Sequence, residues 1–229
     1  MNELADLRSP ELADRMHHLI LAVPLGATEQ HGPHLPLGTD TVVATELCHR
    51  LTARLPDIIA APPVPYGSSG EHADFPGTLS IGQDALEFLL VELARSADRF
   101  TGVVFVNGHG GNILPLDTAV GILRAEGRNV LAWSPSGPAR DSHAGHTETS
   151  VMLRLRPETV ALEHARPGNT APLGGLIDQM RWHGVAAVSP NGVLGDPTTA
   201  VAGAGELLLQ NWTESLVREV NTWMSLTLP

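Results

Sequence analysis

The hydrophobic residues of this chain form two patterns that alternate along the sequence. In the first pattern, every position of a short run is apolar, which is typical of strands in a parallel sheet covered on both faces. Such runs lie at residues 19–23, 58–61, 103–106 and 130–133. In the second pattern, apolar residues recur every three or four positions, as they do in helices with one buried face. These predicted helices cover residues 40–55, 86–97, 113–126 and 147–155, and a longer amphipathic helix ends near Trp223.

Residues that favour caps and turns separate these elements. Ser9, Pro10 and Glu11 have the order of an N-cap, a first-turn proline and a first-turn acid, which predicts a short helix. Residues 62–82 are rich in Pro, Gly and Ser, so we expect a long ordered loop there with one short strand at 78–81. Strands that alternate with helices predict an α/β fold, in three layers (α/β/α) with a mostly parallel sheet. We find no repeat, and we expect one domain over residues 1–229.

Acidic residues outnumber basic ones, and this imbalance excludes some partners. The chain has 25 Asp and Glu against 14 Lys and Arg, and its net charge of −11 repels nucleic-acid phosphates and anionic membrane surfaces. We therefore expect neither a nucleic-acid partner nor a membrane partner. No apolar run approaches the roughly 20 residues needed to cross a bilayer, and the first residues lack the pattern of a secretion signal. Cys48 is the one cysteine and cannot form a disulfide within the chain, so we expect a cytoplasmic location.

Candidate metal ligands follow the first predicted strand. Gly and Pro interrupt residues 26–40 too often for a helix. In extended backbone, residues two apart point to the same side, so Glu29 and His31 can converge on one point while Gln30 faces away. A carboxylate and an imidazole together are suited to binding a metal. Asp40 begins the next predicted helix, and its position alone favours helix capping.

A second cluster, with the sequence NGHGGN at residues 107–112, directly follows the third predicted strand. Open α/β sheets bind ligands beyond the carboxyl ends of their strands, so this position favours a functional role. The glycines match neither the dinucleotide-binding motif GxGxxG nor a P-loop. We interpret His109 as a metal ligand rather than a structural histidine, and Asn112 as the N-cap of the next helix.

A third cluster lies beyond the fourth predicted strand, where His143, His146 and Glu148 stand within six residues. Their spacing matches neither HExxH nor a cysteine zinc site, and a solvated helix start with incidental histidines is the alternative. Each of the three clusters follows a different strand of one predicted sheet. Together they offer five nitrogen and oxygen donors, a number that suits two metal ions: Glu29, His31, Asp40, His109 and Glu148.

The three clusters resemble the signatures of the creatininase family of metal-dependent amidohydrolases. The matching segments are GATEQHGPHLPLGTD at residues 26–40, NGHGGN at 107–112 and HAGHTETS at 143–150. The resemblance implies a creatininase-like three-layer fold and a ring-like homo-oligomer, either a hexamer or an octamer. It also implies two divalent metal ions per subunit, for which Zn, Fe(II) and Mn all suit the donors.

Carried over by position, the resemblance assigns a role to each donor. It implies that Glu29 and His109 hold one metal and that His31 and Glu148 hold the other. Asp40 is expected to bridge the two metals, which replaces its interpretation as a helix cap.

Two further segments, at residues 65–82 and 191–197, resemble the mycofactocin-system branch of the family. Gly111 stands where the creatinine-hydrolysing branch has a glutamate. The mycofactocin branch contains a peptidase that releases the crosslinked, Val-Tyr-derived C-terminal dipeptide from a modified precursor peptide. The resemblance therefore implies a hydrolase of amide or peptide bonds with this peptide as substrate. The alternatives are creatinine hydrolysis, formamide deformylation, and a metal-binding sensor or scaffold without turnover.

The implied chemistry needs an acid as well as metals. Two metal ions can lower the pKa of a shared water and polarise the amide carbonyl that it attacks. We expect His143 to protonate the departing amine, with His146 as the alternative and Glu148 as the other catalytic residue. Loop residues and tryptophans are candidates for a pocket that holds an aromatic peptide end, although a core role is equally expected for the tryptophans. The expected substrate contacts are Tyr66, Glu71, His72, Trp133 and Trp182.

Overall fold

The computed structural model describes residues 3–227 and contains one sheet of four parallel strands. The strands are β1 (Ile20–Leu25), β2 (Ile58–Ala60), β3 (Gly102–Asn107) and β4 (Val130–Trp133). Their order across the sheet is β2-β1-β3-β4. Each strand lies at an apolar run predicted from the sequence. The short strand expected at residues 78–81 is absent, because Leu79 forms only a single bridge to Thr28 there.

Helices cover both faces of the sheet, which confirms the predicted α/β class. They are α1 (Ser9–Leu12), α2 (Thr39–Arg54), α3 (Gln83–Ser96), α4 (Ile113–Ala125), α5 (His146–Leu155), α6 (Ile177–His183) and α7 (Ala202–Thr227). The sequence predicted all of these except α6, and α7 extends past Trp223 to Thr227. Within residues 3–227, no helix has both the length and the apolar character needed to cross a membrane.

Successive residues of the central strands face two different hydrophobic cores. On one side of the sheet, Ile20 and Val104 pack with α2, α5 and α7. On the other side, Leu21 and Phe105 pack with α3 and α4. Burial on both faces explains why these strands are continuously apolar in sequence.

The register of the sheet places the ends of β1 and β3 side by side. Leu25 pairs with Asn107, so the loops that follow these strands start next to each other. The start of α2 packs against both loops at positions where only glycine fits. A Cβ on Gly26 would lie 2.3 Å from Thr41 Oγ1, and a Cβ on Gly108 would lie 2.5 Å from the backbone oxygen of Asp40. These two close approaches hold Asp40 between the loops.

Candidate metal centre

Loops that follow all four strands converge on one site. Residues 26–38 follow β1, 61–82 follow β2, 108–112 follow β3 and 134–145 follow β4. This is the edge at which open α/β sheets bind ligands. Three groups of potential metal ligands lie here, and they include all five donors singled out in the sequence: Glu29, His31, Asp40, His109 and Glu148.

Glu29, Asp40 and His109 form one of these groups, and all three side chains are buried. His109 Nδ1 lies 3.4 Å from Asp40 Oδ2, and His109 Nε2 lies 3.1 Å from Glu29 Oε2. The backbone oxygen of Ser68 is 3.0 Å from His109 Nε2 and accepts a hydrogen bond from it. In the neutral ring, this bond leaves Nδ1 with the lone pair that a cation needs.

His31, Asp40 and Glu148 form a second group. His31 Nε2 lies 3.0 Å from Asp40 Oδ1 and 3.9 Å from Glu148 Oε2. His31 Nδ1 donates to the backbone oxygen of Glu29 at 3.1 Å, so Nε2 keeps the lone pair in the neutral ring. Asp40 belongs to both groups and turns one carboxylate oxygen towards each.

The turn before α5 places Glu148. Ala144 adopts a left-handed conformation (φ 52°), which only glycine adopts without a steric penalty. In this conformation its N–H donates to Glu148 Oε2 at 2.5 Å. Asp141 accepts hydrogen bonds of 2.8 Å from the N–H groups of His146 and Thr147, and thereby caps α5. The carboxylate of Glu148 is therefore fixed by its own helix start.

Two further imidazoles lie beside Glu29. His72 Nε2 is 3.5 Å from Glu29 Oε1, and His143 Nδ1 is 3.7 Å from the same oxygen. Both rings are buried, and burial lowers the pKa of His72 to about 4 and the pKa of His143 well below its usual value. His143 also forms the third group of potential ligands, with Glu29 and His31. Its Nδ1 is therefore placed either to bind a cation or to exchange a proton.

His146, the alternative acid, points away from this site. Its Nδ1 lies 3.2 Å from Thr199 Oγ1. Its side chain lines a separate cavity of about 580 Å³ beside α7, which none of the five candidate ligands lines. The position of His146 therefore does not support a catalytic role.

Attraction between opposite charges dominates the electrostatics of the ligand groups. Burial lowers the pKa of His31 and His109, but attraction to Asp40 and to Glu29, respectively, outweighs burial and raises each pKa to about 10. Burial likewise raises the pKa of Glu29, and the attraction of His109 reverses that effect and holds the pKa well below its usual range. Burial raises the pKa of Glu148 to about 7. In the absence of a cation, the two imidazoles thus hold protons that balance the buried carboxylates.

Several carboxylate oxygens of the site accept no hydrogen bond. Among the described residues, both carboxylate oxygens of Glu29 and Oδ2 of Asp40 are buried without a hydrogen-bond partner. Buried charged oxygens without partners are strongly unfavourable. A mixed set of carboxylates and imidazoles with unsatisfied oxygens fits bound divalent cations.

The expected substrate contacts occupy different places. Glu71 Oε1 is 3.7 Å from His109 Nε2, and His72 lies beside Glu29 as described above. Tyr66 is 47% exposed, and Trp182 is 82% exposed on α6, which contacts residues 70–72. Trp133 is buried in the core with α2 and α7, which favours the core role that the sequence left open for it. It ends β4 on the face that turns towards that core.

Asn112 has a different role from the predicted one. It occupies the N-cap position of α4, but its side chain caps no N–H of that helix. Its Oδ1 accepts a hydrogen bond of 2.9 Å from the N–H of Ser68, and its Nδ2 donates to the backbone oxygen of Gly26 at 3.0 Å. Asn112 therefore ties the loops after β1 and β2 to the loop after β3.

Known proteins resemble this chain in sequence and in structure. The family model for creatininase, described as creatinine amidohydrolase, matches residues 5–220. The mycofactocin precursor peptide peptidase of Mycobacterium tuberculosis is 50% identical over 235 residues, which cover 98% of this chain and 92% of that protein.

Two solved creatininase structures have the same fold. The manganese form superposes with a TM-score of 0.81 at 26% identity and covers 100% of this chain and 99% of its own. A Zn–Zn form of a mutant creatininase superposes with a TM-score of 0.79 at 26% identity, covering 99% of this chain and 98% of its own. The match of the family model to residues 5–220 shows that the chain belongs to the creatininase family.

Proposed function

We propose that this chain is a metal-dependent peptidase that cleaves the mycofactocin precursor peptide and releases its crosslinked, Val-Tyr-derived C-terminal dipeptide. One observation carries the proposal: five ligand-type side chains converge at the strand ends of a chain that is 50% identical to a peptidase of that name. A sensor or scaffold role without turnover explains neither the imidazole of His143 beside the ligands nor the similarity to hydrolases.

The ligand groups would hold two divalent cations, with Asp40 giving one oxygen to each. Zn, Fe(II) and Mn suit imidazole and carboxylate donors, and the two creatininase structures are Mn and Zn–Zn forms. When bound, such cations make a hydroxide nucleophile available near neutral pH and polarise the scissile carbonyl. A ring-like homo-oligomer and a cytoplasmic location stay predictions.

His143 is the residue best placed to protonate the departing amine. Its Nδ1 faces Glu29 at 3.7 Å, while its Nε2 is held by the backbone oxygen of Gln30 at 2.9 Å. The ring is buried, so bulk water does not compete for a proton that Nδ1 accepts and passes on to the amine. Positioned acid–base groups of this kind contribute about 10²–10⁴-fold to rate.

Two exposed aromatic residues suit a peptide with an aromatic end. Tyr66 and Trp182 are exposed on segments that adjoin Glu71 and His72, and aromatic side chains of this kind would contact the Tyr-derived end of the dipeptide. Creatinine hydrolysis is less well supported, because Gly111 cannot supply the carboxylate found there in the creatinine-hydrolysing branch.

The test compares three substrates on one preparation. The zinc-loaded protein is incubated with the modified precursor peptide, with creatinine and with a formamide substrate, and products are identified by mass spectrometry. We expect release of the C-terminal dipeptide and no change in the other two compounds. Turnover of creatinine or of the formamide alone would show that the proposed substrate is wrong, and no turnover by protein that carries two metals would show that the proposed activity is wrong.

A further inference from the structure

Gln30 lies between the ligands Glu29 and His31 in sequence. Its buried side chain contacts His72 and His143 at the ring nitrogens that do not face Glu29. Its Oε1 accepts a hydrogen bond of 2.8 Å from the N–H of Gly32. Because a backbone N–H can only donate, this contact identifies the oxygen end of the amide and places Nε2 towards the imidazoles. Gly192 (φ +79°) packs so closely that a Cβ there would lie 2.0 Å from Gln30 Oε1. The amide therefore has one orientation.

The amide nitrogen has two protons and three possible acceptors. His72 Nδ1 is 2.8 Å from Gln30 Nε2, His143 Nε2 is 3.0 Å away, and the backbone oxygen of Gly192 is 3.1 Å away. His143 Nε2 is also 2.9 Å from the backbone oxygen of Gln30, which can only accept. Within residues 3–227, no other hydrogen bond reaches the backbone oxygens of Gln30 and Gly192.

For two neutral imidazole rings, only one arrangement of protons satisfies every group. His143 donates from Nε2 to the backbone oxygen of Gln30, and the Gln30 amide donates to His72 Nδ1 and to the Gly192 oxygen. Any other arrangement leaves a buried carbonyl oxygen or a ring nitrogen without a partner. Both rings thus carry their proton on Nε2.

The two rings present opposite ends to Glu29. His72 turns its protonated Nε2 towards Glu29 Oε1, whereas His143 turns its unprotonated Nδ1 towards the same oxygen. We propose that Gln30 is a positioning residue that fixes the tautomers of His72 and His143, so that the site holds one hydrogen-bond donor and one proton acceptor side by side. The inference rests on the proposed function for its use in catalysis.

Peptide hydrolysis needs both properties in one place. The C–N bond breaks while a C–O bond forms from water, and a proton from that water must reach the departing amine. His143 Nδ1 can accept this proton and pass it on, and the N–H of His72 can donate to the oxyanion that forms on the carbonyl oxygen. An imidazole with its proton on the other nitrogen would have the wrong group at each position.

Gln30→Glu replaces the donating amide nitrogen with an accepting oxygen of the same size. We expect His72 then to carry its proton on Nδ1, in order to donate to the new carboxylate. The measurement is a long-range proton–nitrogen NMR spectrum of zinc-loaded protein with ¹⁵N-labelled histidine, in which the signals are assigned from His72→Asn and His143→Asn. In the wild type, both residues should show the pattern of a proton on Nε2, and only His72 should change in Gln30→Glu.

Gln83→Glu makes the same change of charge at the exposed start of α3, and it should leave both patterns and turnover unchanged. Gln30→Glu should lower kcat about tenfold or more, with KM within about twofold and the metal content unchanged. If Gln30→Glu does not fold, Gln30→Met removes the donor without adding charge, and His72 should then show a mixture of tautomers.

A proton on Nδ1 of His72 or His143 in the wild type would overturn the proposal. So would an unchanged His72 pattern in a folded Gln30 variant. The spectra need no peptide substrate, so failure of this proposal is distinguishable from failure of the proposed function.

Discussion

The carboxylate of Glu71 fills the space in which any residue other than glycine at position 111 would place its Cβ. A Cβ on Gly111 would lie 2.5 Å from Glu71 Oε1 and 2.2 Å from the backbone oxygen of Ser68. Glycine is therefore required here by the close approach of the loop after β2. This approach brings a third carboxylate within 3.7 Å of His109, in addition to those of Glu29 and Asp40.

Gly111→Ala should therefore lower kcat/KM for the peptide by about tenfold or more, because Ser68 and Glu71 must move away from His109. Gly110→Ala is the matched control, since a Cβ there meets no atom within 4 Å. Steady-state kinetics of dipeptide release would check both variants. Equal activity of the two would show that the contact between Gly111 and Glu71 has no role in the reaction.

Asp40→Asn tests the ligand that both groups share. An amide has one neutral oxygen, so it cannot give a charged oxygen to each group as Asp40 does. We expect the bound metal to fall from two ions to at most one per chain, with turnover lost. The measurement is metal analysis by mass spectrometry after dialysis.

Asp84→Asn, in the exposed first turn of α3, is the control for loss of a carboxylate and should keep both ions. Two tightly held ions in Asp40→Asn would contradict the shared-ligand assignment.

His143→Ala and His146→Ala separate the two candidate acids. We expect His143→Ala to keep both metals and to lose about 10²–10⁴-fold in kcat, because within residues 3–227 no other imidazole presents a free nitrogen to Glu29 at that position. His146→Ala should keep its activity, since its ring contacts Thr199 outside the site. Loss of both metals in His143→Ala would instead assign His143 to the third ligand group.

The sequence predicted the strands well because burial on both faces leaves a local signal. Every residue of β3 is buried, and its apolar run is readable without knowledge of its neighbours. The orientation of Trp133 is not readable in this way, because both faces of its strand are apolar. Whether the last residue of β4 faces the core or the site depends on how the sheet is covered.

The candidate site likewise has residues whose role the sequence predicts and residues whose role it does not. The pair Glu29 and His31 follows from the two-residue period of extended backbone. Asp40 looks like a helix cap until the resemblance to a family is used, because its role depends on the packing of α2 against two glycines. The contacts of Gln30 with His72, His143 and Gly192 span 42, 113 and 162 residues of sequence, so no local pattern predicts them.

The packing of α7 on α5 gives a prediction for stability. A Cβ on Gly205 would lie 2.0 Å from the backbone oxygen of Ser150, so Gly205→Ala must push α7 away from α5. We expect the free energy of unfolding to fall by about 1–3 kcal/mol.

Gly203→Ala, two residues earlier, meets no atom and should raise the free energy of unfolding by up to about 1 kcal/mol through helix propensity. Urea denaturation of the two variants would measure both changes. A stable Gly205→Ala protein would show that the two helices do not approach so closely.

The metal-free protein should lose stability as the pH rises from about 7.5 to 8.5. Burial lowers the pKa of His31 and His109, but Asp40 and Glu29 outweigh it and raise both values to about 10, against about 6.5 for an unperturbed histidine. In this window the folded chain keeps protons that the unfolded chain has released, so the free energy of unfolding falls with rising pH. The stabilisation is fully present below pH about 6.5 and is lost as the pH approaches about 10.

Metal-loaded protein should show no such loss, because cations and not protons then balance the carboxylates. Urea denaturation at several pH values, with a chelator and with zinc, would measure the difference. The window ends at about 8.5 because the unfolded Cys48 thiol is half ionised at that pH. Burial raises the pKa of this thiol in the folded chain, so it adds an effect of the same sign near the upper end of the window and beyond it. If the metal-free protein has constant or rising stability between these pH values, the two imidazoles do not hold protons in place of metals.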